Sequence, residues 1–422
     1  MKKQFLFILI FIFIIFFACS DYTNGDEVRF ISYKKMLSDY EYFWDFIYKG
    51  YPFSEVCERN GADLKKMKIK NYESLSGLAS ENAYLAFYDR LCRQITIGKS
   101  IGHLYAVDKY DYKYVFKTSM IGGPFITRIL LIDGFYSKLI GGRSSTEIEK
   151  NIFYCDFFND EFPCYSCDIY TGFLKRIIEP GKIAYVKLDS FLIVSREIEL
   201  QYLRDLKDFF IETADYKHII IDIQNNGGGY TDNYEAIISP NIKENLTIVS
   251  YGLYNENKYT NPYLEMFFKD YRDIKKIEKH EVPNIENCGT VKNDKAYKLE
   301  DVIEPSYILD YKPCEDKKFW LLVSGDVYSA ADRFTYVCKK TGFATVIGTN
   351  TKGAGNNGLW PMYIVLPNSG LLIKFDFIYG LTDDGYCTDE VGTAPDIYNL
   401  PGKDALETCL ETIRKLGEKT NF

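Results

Sequence analysis

His218-Ile219-Ile220-Ile221-Asp222-Ile223 runs straight into Gln224-Asn225-Asn226-Gly227-Gly228-Gly229. A strand this apolar has no polar face to turn to water. It belongs in a sheet covered on both sides, the usual setting of parallel strands. Three consecutive glycines at its end admit backbone conformations closed to other residues. They let main-chain N–H groups turn toward an anion or a carbonyl oxygen. A tight strand-to-helix turn needs fewer glycines. No Gly-Lys-Ser/Thr follows, so this is no Walker-type phosphate loop, and the spacing is not that of a dinucleotide site.

The surroundings extend the same architecture. Ile183–Leu188 and Phe319–Val323 read as further strands, and Glu197–Thr213 as a helix between strands. Alternating strands and helices predict an α/β layer fold. Asp404 caps a last helix, with Leu406, Leu410, Ile413 and Leu416 on one face. Residues 179–422 read as one α/β domain, with a charged insertion at 240–317 that has strands of its own near Leu246–Leu253. Residues 29–105 read as an N-terminal helical domain, where Tyr40, Phe43, Phe46 and Ile47 recur at helical spacing. Residues 106–178 are a middle region. Leu130-Leu131-Ile132-Asp133-Gly134 there predicts a strand ending in a turn, and with it a small β module.

Residues 1–18 are a targeting segment. Lys2 and Lys3 precede an unbroken apolar run of 14 residues, Phe5–Ala18. That is shorter than the roughly 20 residues a membrane-spanning helix needs. Cys19 follows at once, then a polar tether over 19–28. The pattern resembles a bacterial lipoprotein signal, with cleavage before Cys19 and lipid on its thiol. A plain secretory signal is the alternative. Either way the mature chain works outside the cytoplasm, and the lipid would anchor it to a membrane of the cell envelope.

The formal charge of −8 argues against nucleic-acid partners, which need clustered Lys and Arg. Setting Cys19 aside leaves ten of the 11 cysteines. An even number outside the cytoplasm permits disulfides without giving their pairing. Cys164-Tyr165-Ser166-Cys167 is a single CxxC with no partner pair, a weak zinc signal. No metal or organic cofactor has a motif.

Ser329 lies in Val323-Ser324-Gly325-Asp326-Val327-Tyr328-Ser329-Ala330-Ala331-Asp332, a strand, a short loop and a helix start. Ser there is either a helix cap or a nucleophile with the next N–H as an oxyanion donor. Three further segments are weak alone: Ile101-Gly102-His103-Leu104, Ile347-Gly348-Thr349-Asn350-Thr351-Lys352-Gly353-Ala354-Gly355, and Asp389-Glu390-Val391-Gly392-Thr393-Ala394-Pro395-Asp396.

In order and spacing the set resembles the serine peptidases of the C-terminal-processing (tail-specific) protease and tricorn-core family. The likeness covers about residues 180–400, and more loosely 30–105. It implies an α/β core similar to ClpP and crotonase, no cofactor, and peptide or protein substrates. Ser329 matches the family nucleophile, with Asp332 where Glu is usual. Gly228 and its neighbours, with the Ala330 N–H, match the oxyanion hole. The processing branch takes its base from a Lys, and here Ala354 stands in that position. Lys352 is two residues earlier. The tricorn-like branch takes its base from a His, and His103 sits in the matching "GH" segment. Its acidic partner falls at Asp389 or the adjacent Glu390. The helper Ser before that His is Gly102 here. Of the other histidines, His218 opens a buried strand and His280 lies in the charged insertion.

The sequence therefore predicts an exported, lipid-anchored serine endopeptidase. A non-catalytic relative binding peptides or apolar ligands, and a Ser–Lys peptidase using Lys352, are the alternatives.

Overall fold

The computed structural model describes residues 31–109, 111–112, 173–193, 196–270, 274–289, 291–306, 317–356 and 361–419. Cys19, the predicted strand at 130–134 and the CxxC pair lie outside the described residues. In chain order the described strands are β1 (Tyr105–Ala106), β2 (Phe173–Glu179), β3 (Ile183–Leu188), β4 (His218–Asp222), β5 (Leu246–Tyr254), β6 (Ile274–Glu278), β7 (Lys295–Ile303), β8 (Lys318–Val323), β9 (Ala344–Gly348), β10 (Met362–Val365), β11 (Leu372–Phe375), β12 (Tyr379–Thr382) and β13 (Ile397–Tyr398).

The main sheet has the order β13-β9-β8-β4-β3-β2. The strands from β13 to β3 pair in parallel, and β2 closes the edge antiparallel to β3. β4 is central, and side chains alternate across a strand. Ile219 and Ile221 enter one core, with Phe209 and Phe210 of the helix Arg196–Glu212 and Phe334 of the helix Ala330–Thr341. Ile220 enters the other core, with Trp320, Leu322 and the last helix through Ala405, Cys409 and Ile413. This is the α/β layer fold predicted from the apolar run. β2, which falls almost wholly within the stretch assigned to the middle region, is an edge strand of this sheet.

The 240–317 segment is more than an insertion. β5, β6 and β7 join β12 in an antiparallel sheet of order β12-β5-β7-β6. The N-terminal helices lie in one hydrophobic core with that sheet and with β10 and β11. Phe46 of the helix Tyr33–Lys49 meets Phe375 edge-on at 4.7 Å and Tyr259 at 5.5 Å. Phe267 meets Tyr297 at 5.1 Å. Such aromatic pairs add about 0.5–1.5 kcal/mol each beyond the area they bury.

Polar contacts also hold the helices against the rest, those of Asp39 and Arg59 among them. Asp39 is fully buried and accepts the N–H groups of Asn368 and Ser369, both at 2.8 Å, in the turn between β10 and β11. Arg59 donates to both oxygens of Glu390 at 2.8 and 2.9 Å. The six described cysteines, Cys57, Cys92, Cys288, Cys338, Cys387 and Cys409, are free thiols.

Candidate active site

The helix Glu81–Ile95 ends at Thr96, and the chain turns through Ile101-Gly102-His103 into β1. β1 pairs antiparallel with β11, with Tyr105 opposite Lys374 and Ala106 opposite Ile373. Continuing that register two residues beyond the strand sets His103 opposite Asp376. The side chains meet there: His103 Nδ1 lies 2.7 Å from Asp376 Oδ2. Both residues are buried, and the Asp376 N–H donates to the Gly102 carbonyl at 2.8 Å.

Ser329 arrives from the other side. It follows β8 and a short loop and precedes the helix Ala330–Thr341. Its φ of 55° and ψ of −123° are strained for a residue with a Cβ. Its side chain makes no cap hydrogen bond. The cap reading of Ser329 is therefore set aside by the geometry. Instead Ser329 Oγ lies 3.1 Å from His103 Nε2. A strained turn that lifts a hydroxyl off the sheet toward a base is the arrangement of a nucleophile elbow. The Ser329 N–H donates to the Gly353 carbonyl at 2.8 Å, which pins the turn from behind.

The glycine run packs against this turn. Gly228 has φ +101°, and a Cβ there would sit 2.7 Å from the Tyr328 carbonyl and 2.9 Å from Ser329 Cβ. At Gly229, φ +140°, a Cβ would fall 2.0 Å from the Phe191 carbonyl carbon. Both positions need glycine because backbone passes where a side chain would be. The expected donor role of Gly228 is corrected by its partner: its N–H donates to Asn226 Oδ1 at 2.9 Å. The Ala330 N–H has no acceptor among the described residues. It stands at the first position of a helix, where N–H groups are unpaired and the dipole end is positive.

The acidic candidates behave differently from expectation. Neither Asp389 nor Glu390 contacts the His103 ring; Asp376 does. Asp389 is buried and accepts the Gly102 N–H on Oδ1 at 2.8 Å. Burial, reinforced by the nearby Asp376, pushes its carboxyl well above the usual range. Glu390 pairs with Arg59 and accepts the Tyr379 hydroxyl. Asp376 lay unremarked in the sequence. Its signal was a single carboxylate inside a mostly apolar stretch, Leu371 to Ile378, that also holds Lys374. Such a group is buried only when it has a partner.

Asp332 ties the motif segments together. It is fully buried, and burial pushes its carboxyl up. It accepts from Thr351 Oγ1 at 2.5 Å and from the Gly355 N–H at 2.9 Å, and Thr351 Oγ1 accepts the Thr393 N–H at 2.6 Å. Lys352 is exposed, with its ammonium 5.2 Å from the Tyr328 ring centre and no hydrogen bond to Ser329. Ala354 is buried, with φ 65°. His218 lies in β4 beside Trp320, whose indole N–H donates to His218 Nδ1 at 3.2 Å, and His280 lies in a short turn after β6. No group of three or more metal-ligating side chains occurs among the described residues.

A hydroxyl, an imidazole and a carboxylate in line, beside an unpaired helix N–H, can carry out acyl transfer. The sequence profile of peptidase family S41 matches residues 182–399, just over half of the chain. The chain belongs to peptidase family S41. Membership carries the chemistry of peptide-bond hydrolysis and substrates that are peptides or proteins. Among solved structures, mature CPAF complexed with lactacystin aligns with a TM-score of 0.51 at 12% identity, over 91% of this chain and 97% of that one. A candidate peptidase from Parabacteroides merdae ATCC 43184 aligns at 0.49 and 17%, over 89% and 96%. The photosystem II D1 C-terminal processing protease aligns at 0.33 and 13%, over 55% and 48%. At such identities the first of these speaks for the fold alone. No curated protein matches the sequence. The S41 match spans β3 to β13 and includes Ser329, Asp376 and Asp389. His103 lies outside it and joins the site through β1.

Proposed function

We propose that this S41 peptidase is a serine endopeptidase, exported and anchored by lipid on Cys19. Ser329 is the nucleophile, His103 the base and Asp376 the carboxylate that orients the base. The reading rests on one observation: His103 Nε2 is 3.1 Å from Ser329 Oγ while its Nδ1 is 2.7 Å from Asp376 Oδ2. With Asp376 ionised, the imidazole carries its hydrogen on Nδ1, leaving the Nε2 lone pair for the Ser329 proton.

The chemistry follows from that tautomer. Ser329 Oγ bonds to the scissile carbonyl carbon as its proton passes to Nε2. Charge collects on the carbonyl oxygen, where the Ala330 N–H is free to donate. One such donor contributes about 3–4 kcal/mol in other serine peptidases. The C–N bond then breaks, and Nε2 returns the proton to the leaving amine. Water, deprotonated by the same nitrogen, hydrolyses the acyl-enzyme ester. The positions of Ser329 and His103 speak against a purely binding relative. The exposed Lys352, without a hydrogen bond to Ser329, speaks against the Ser–Lys alternative.

A fluorophosphonate probe is expected to label the wild type at Ser329. Ser329→Ala should lose both labelling and peptide cleavage with its melting temperature nearly unchanged. Labelling that persists in Ser329→Ala would refute the assignment. The anchor has its own test. Metabolic labelling with a palmitate analogue should mark the wild type and not Cys19→Ala, and equal labelling of both would leave only a plain secretory signal. The labelled protein is expected in the cell-envelope membrane fraction.

A further inference from the structure

The segment that carries His103 is strained and held from several sides. Ile97, Ser100 and His103 have φ of 52°, 55° and 48°, and Gly102 between them has φ 57°. Non-glycine residues rarely adopt this region, and a cluster of them persists only where surrounding contacts impose it. Those contacts are present. The Tyr328 hydroxyl donates to the Ser100 carbonyl, and the Tyr51 hydroxyl to the Ile101 carbonyl, each at 2.6 Å. The Gly102 N–H goes to Asp389 Oδ1, and the Gly102 carbonyl takes the Asp376 N–H, each at 2.8 Å. Two carboxyl-bearing residues thus flank Gly102, Asp389 by its side chain on the N–H and Asp376 by its main-chain N–H on the carbonyl, and each carboxyl has an oxygen left over. Asp389 Oδ2 and Asp376 Oδ1 are both buried without a hydrogen-bond partner.

Two ionised carboxylates flanking one buried residue, each with an unpaired buried oxygen, are a costly arrangement. A single proton between them removes both faults. Asp376 is the one that must stay ionised, because it accepts from the His103 ring. We propose that Asp389 is a positioning residue that works as a neutral carboxyl: Oδ1 accepts the Gly102 N–H, while a proton held on Oδ2 is donated toward Asp376 Oδ1. The inference rests on the serine-peptidase reading and adds a role for a residue that touches neither Ser329 nor the imidazole. Its function is to hold the left-handed turn that aims Nε2 at Ser329, and to keep the Asp376 charge on the imidazole side.

The groups that face Asp389 agree with a neutral state. They are Asp376 after β11, Asp332 in the helix Ala330–Thr341, Glu390 and Cys387 beside it in the chain, and the phenols Tyr51 and Tyr328. The basic groups nearby are engaged elsewhere: Arg59 pairs with Glu390, and the His103 ring with Asp376. The sign for stability follows. A buried carboxyl raised above its unfolded value stabilises the fold most below the ordinary carboxyl range, and that contribution is lost as pH rises through the raised value. Asp389→Asn, which cannot ionise, should gain in melting temperature relative to wild type as pH rises from the ordinary carboxyl range upward.

The deciding experiment compares Asp389→Asn and Asp389→Ala in the full-length protein, with Ser329→Ala assayed alongside. Asn supplies an acceptor and an N–H donor in the places of the protonated acid. It should keep kcat within about threefold of wild type. Ala removes the hold on Gly102 and should lose about 100-fold in kcat, with KM little changed. Infrared difference spectra of wild type minus Asp389→Asn at pH 7 should show the carbonyl stretch of a protonated carboxyl. A missing band, an Asn variant as impaired as Ala, or an Ala variant as active as wild type would each overturn the proposal. The infrared band is read without turnover. A failure of the serine-peptidase reading would appear separately, as activity retained by Ser329→Ala.

Discussion

His103→Ala is expected to lose about as much kcat as Ser329→Ala, on the order of 10⁶-fold, and the double variant little more. The reason is geometric. The 3.1 Å contact between Nε2 and Oγ makes the two groups one device. Without the imidazole, the hydroxyl has no acceptor for its proton. Without the hydroxyl, the imidazole has nothing to activate. Losses that are large singly and do not add are the signature of residues acting as a unit. Lys352→Ala, measured in the same assay, should stay close to wild type, because that ammonium is exposed and lies against the Tyr328 ring. Steady-state kinetics on a peptide substrate, with melting temperatures as the control for folding, decides the matter. An inactive Lys352→Ala beside an active His103→Ala would replace this mechanism with the dyad.

Asp376→Asn carries the second largest expected effect, about 10⁴-fold in kcat. The amide is nearly isosteric and stays in the same buried place. It can still bond the ring, but through its N–H it would donate to Nδ1. That leaves the imidazole hydrogen on Nε2, the wrong tautomer for accepting from Ser329. It also removes the charge that stabilises the imidazolium formed during attack. The drop should therefore appear in kcat with modest change in KM, and fluorophosphonate labelling should slow in proportion. By contrast, Glu390→Gln is expected to lower melting temperature with little effect on kcat. Glu390 pairs with Arg59 and Tyr379 rather than with His103. Were Asp376→Asn fully active and Glu390→Gln dead, the orienting carboxylate would have to be reassigned.

Much of this protein is written in short windows of its sequence. The apolar run at 218–223 can only be a strand buried on both faces, and it becomes the centre of the parallel sheet. Gly228 and Gly229 take backbone angles and close approaches that no other residue tolerates. Ser329 at a strand-to-helix turn and His103 in its short "GH" segment are local signals of the same kind, and the structure brings the two side chains together. What the sequence could not decide is which distant groups meet. The carboxylate on Nδ1 is 273 residues from His103, and its place follows from the β1–β11 register. Asp389 had the better spacing by motif, yet its side chain reaches Gly102 instead. The Gly228 N–H was a plausible donor by motif, yet Asn226 takes it. The segment 240–317 looked like a charged insertion, because Lys, Asp and Glu stand within β6 and β7 as well as in the loops around them. Its apolar face becomes visible only when the N-terminal helices lie on it. Local chemistry depends on which backbone angles and faces a few neighbouring residues allow. Partnership across hundreds of residues depends on strand register and on which polar atoms burial leaves in need of a partner, and those are settled only when the whole chain packs.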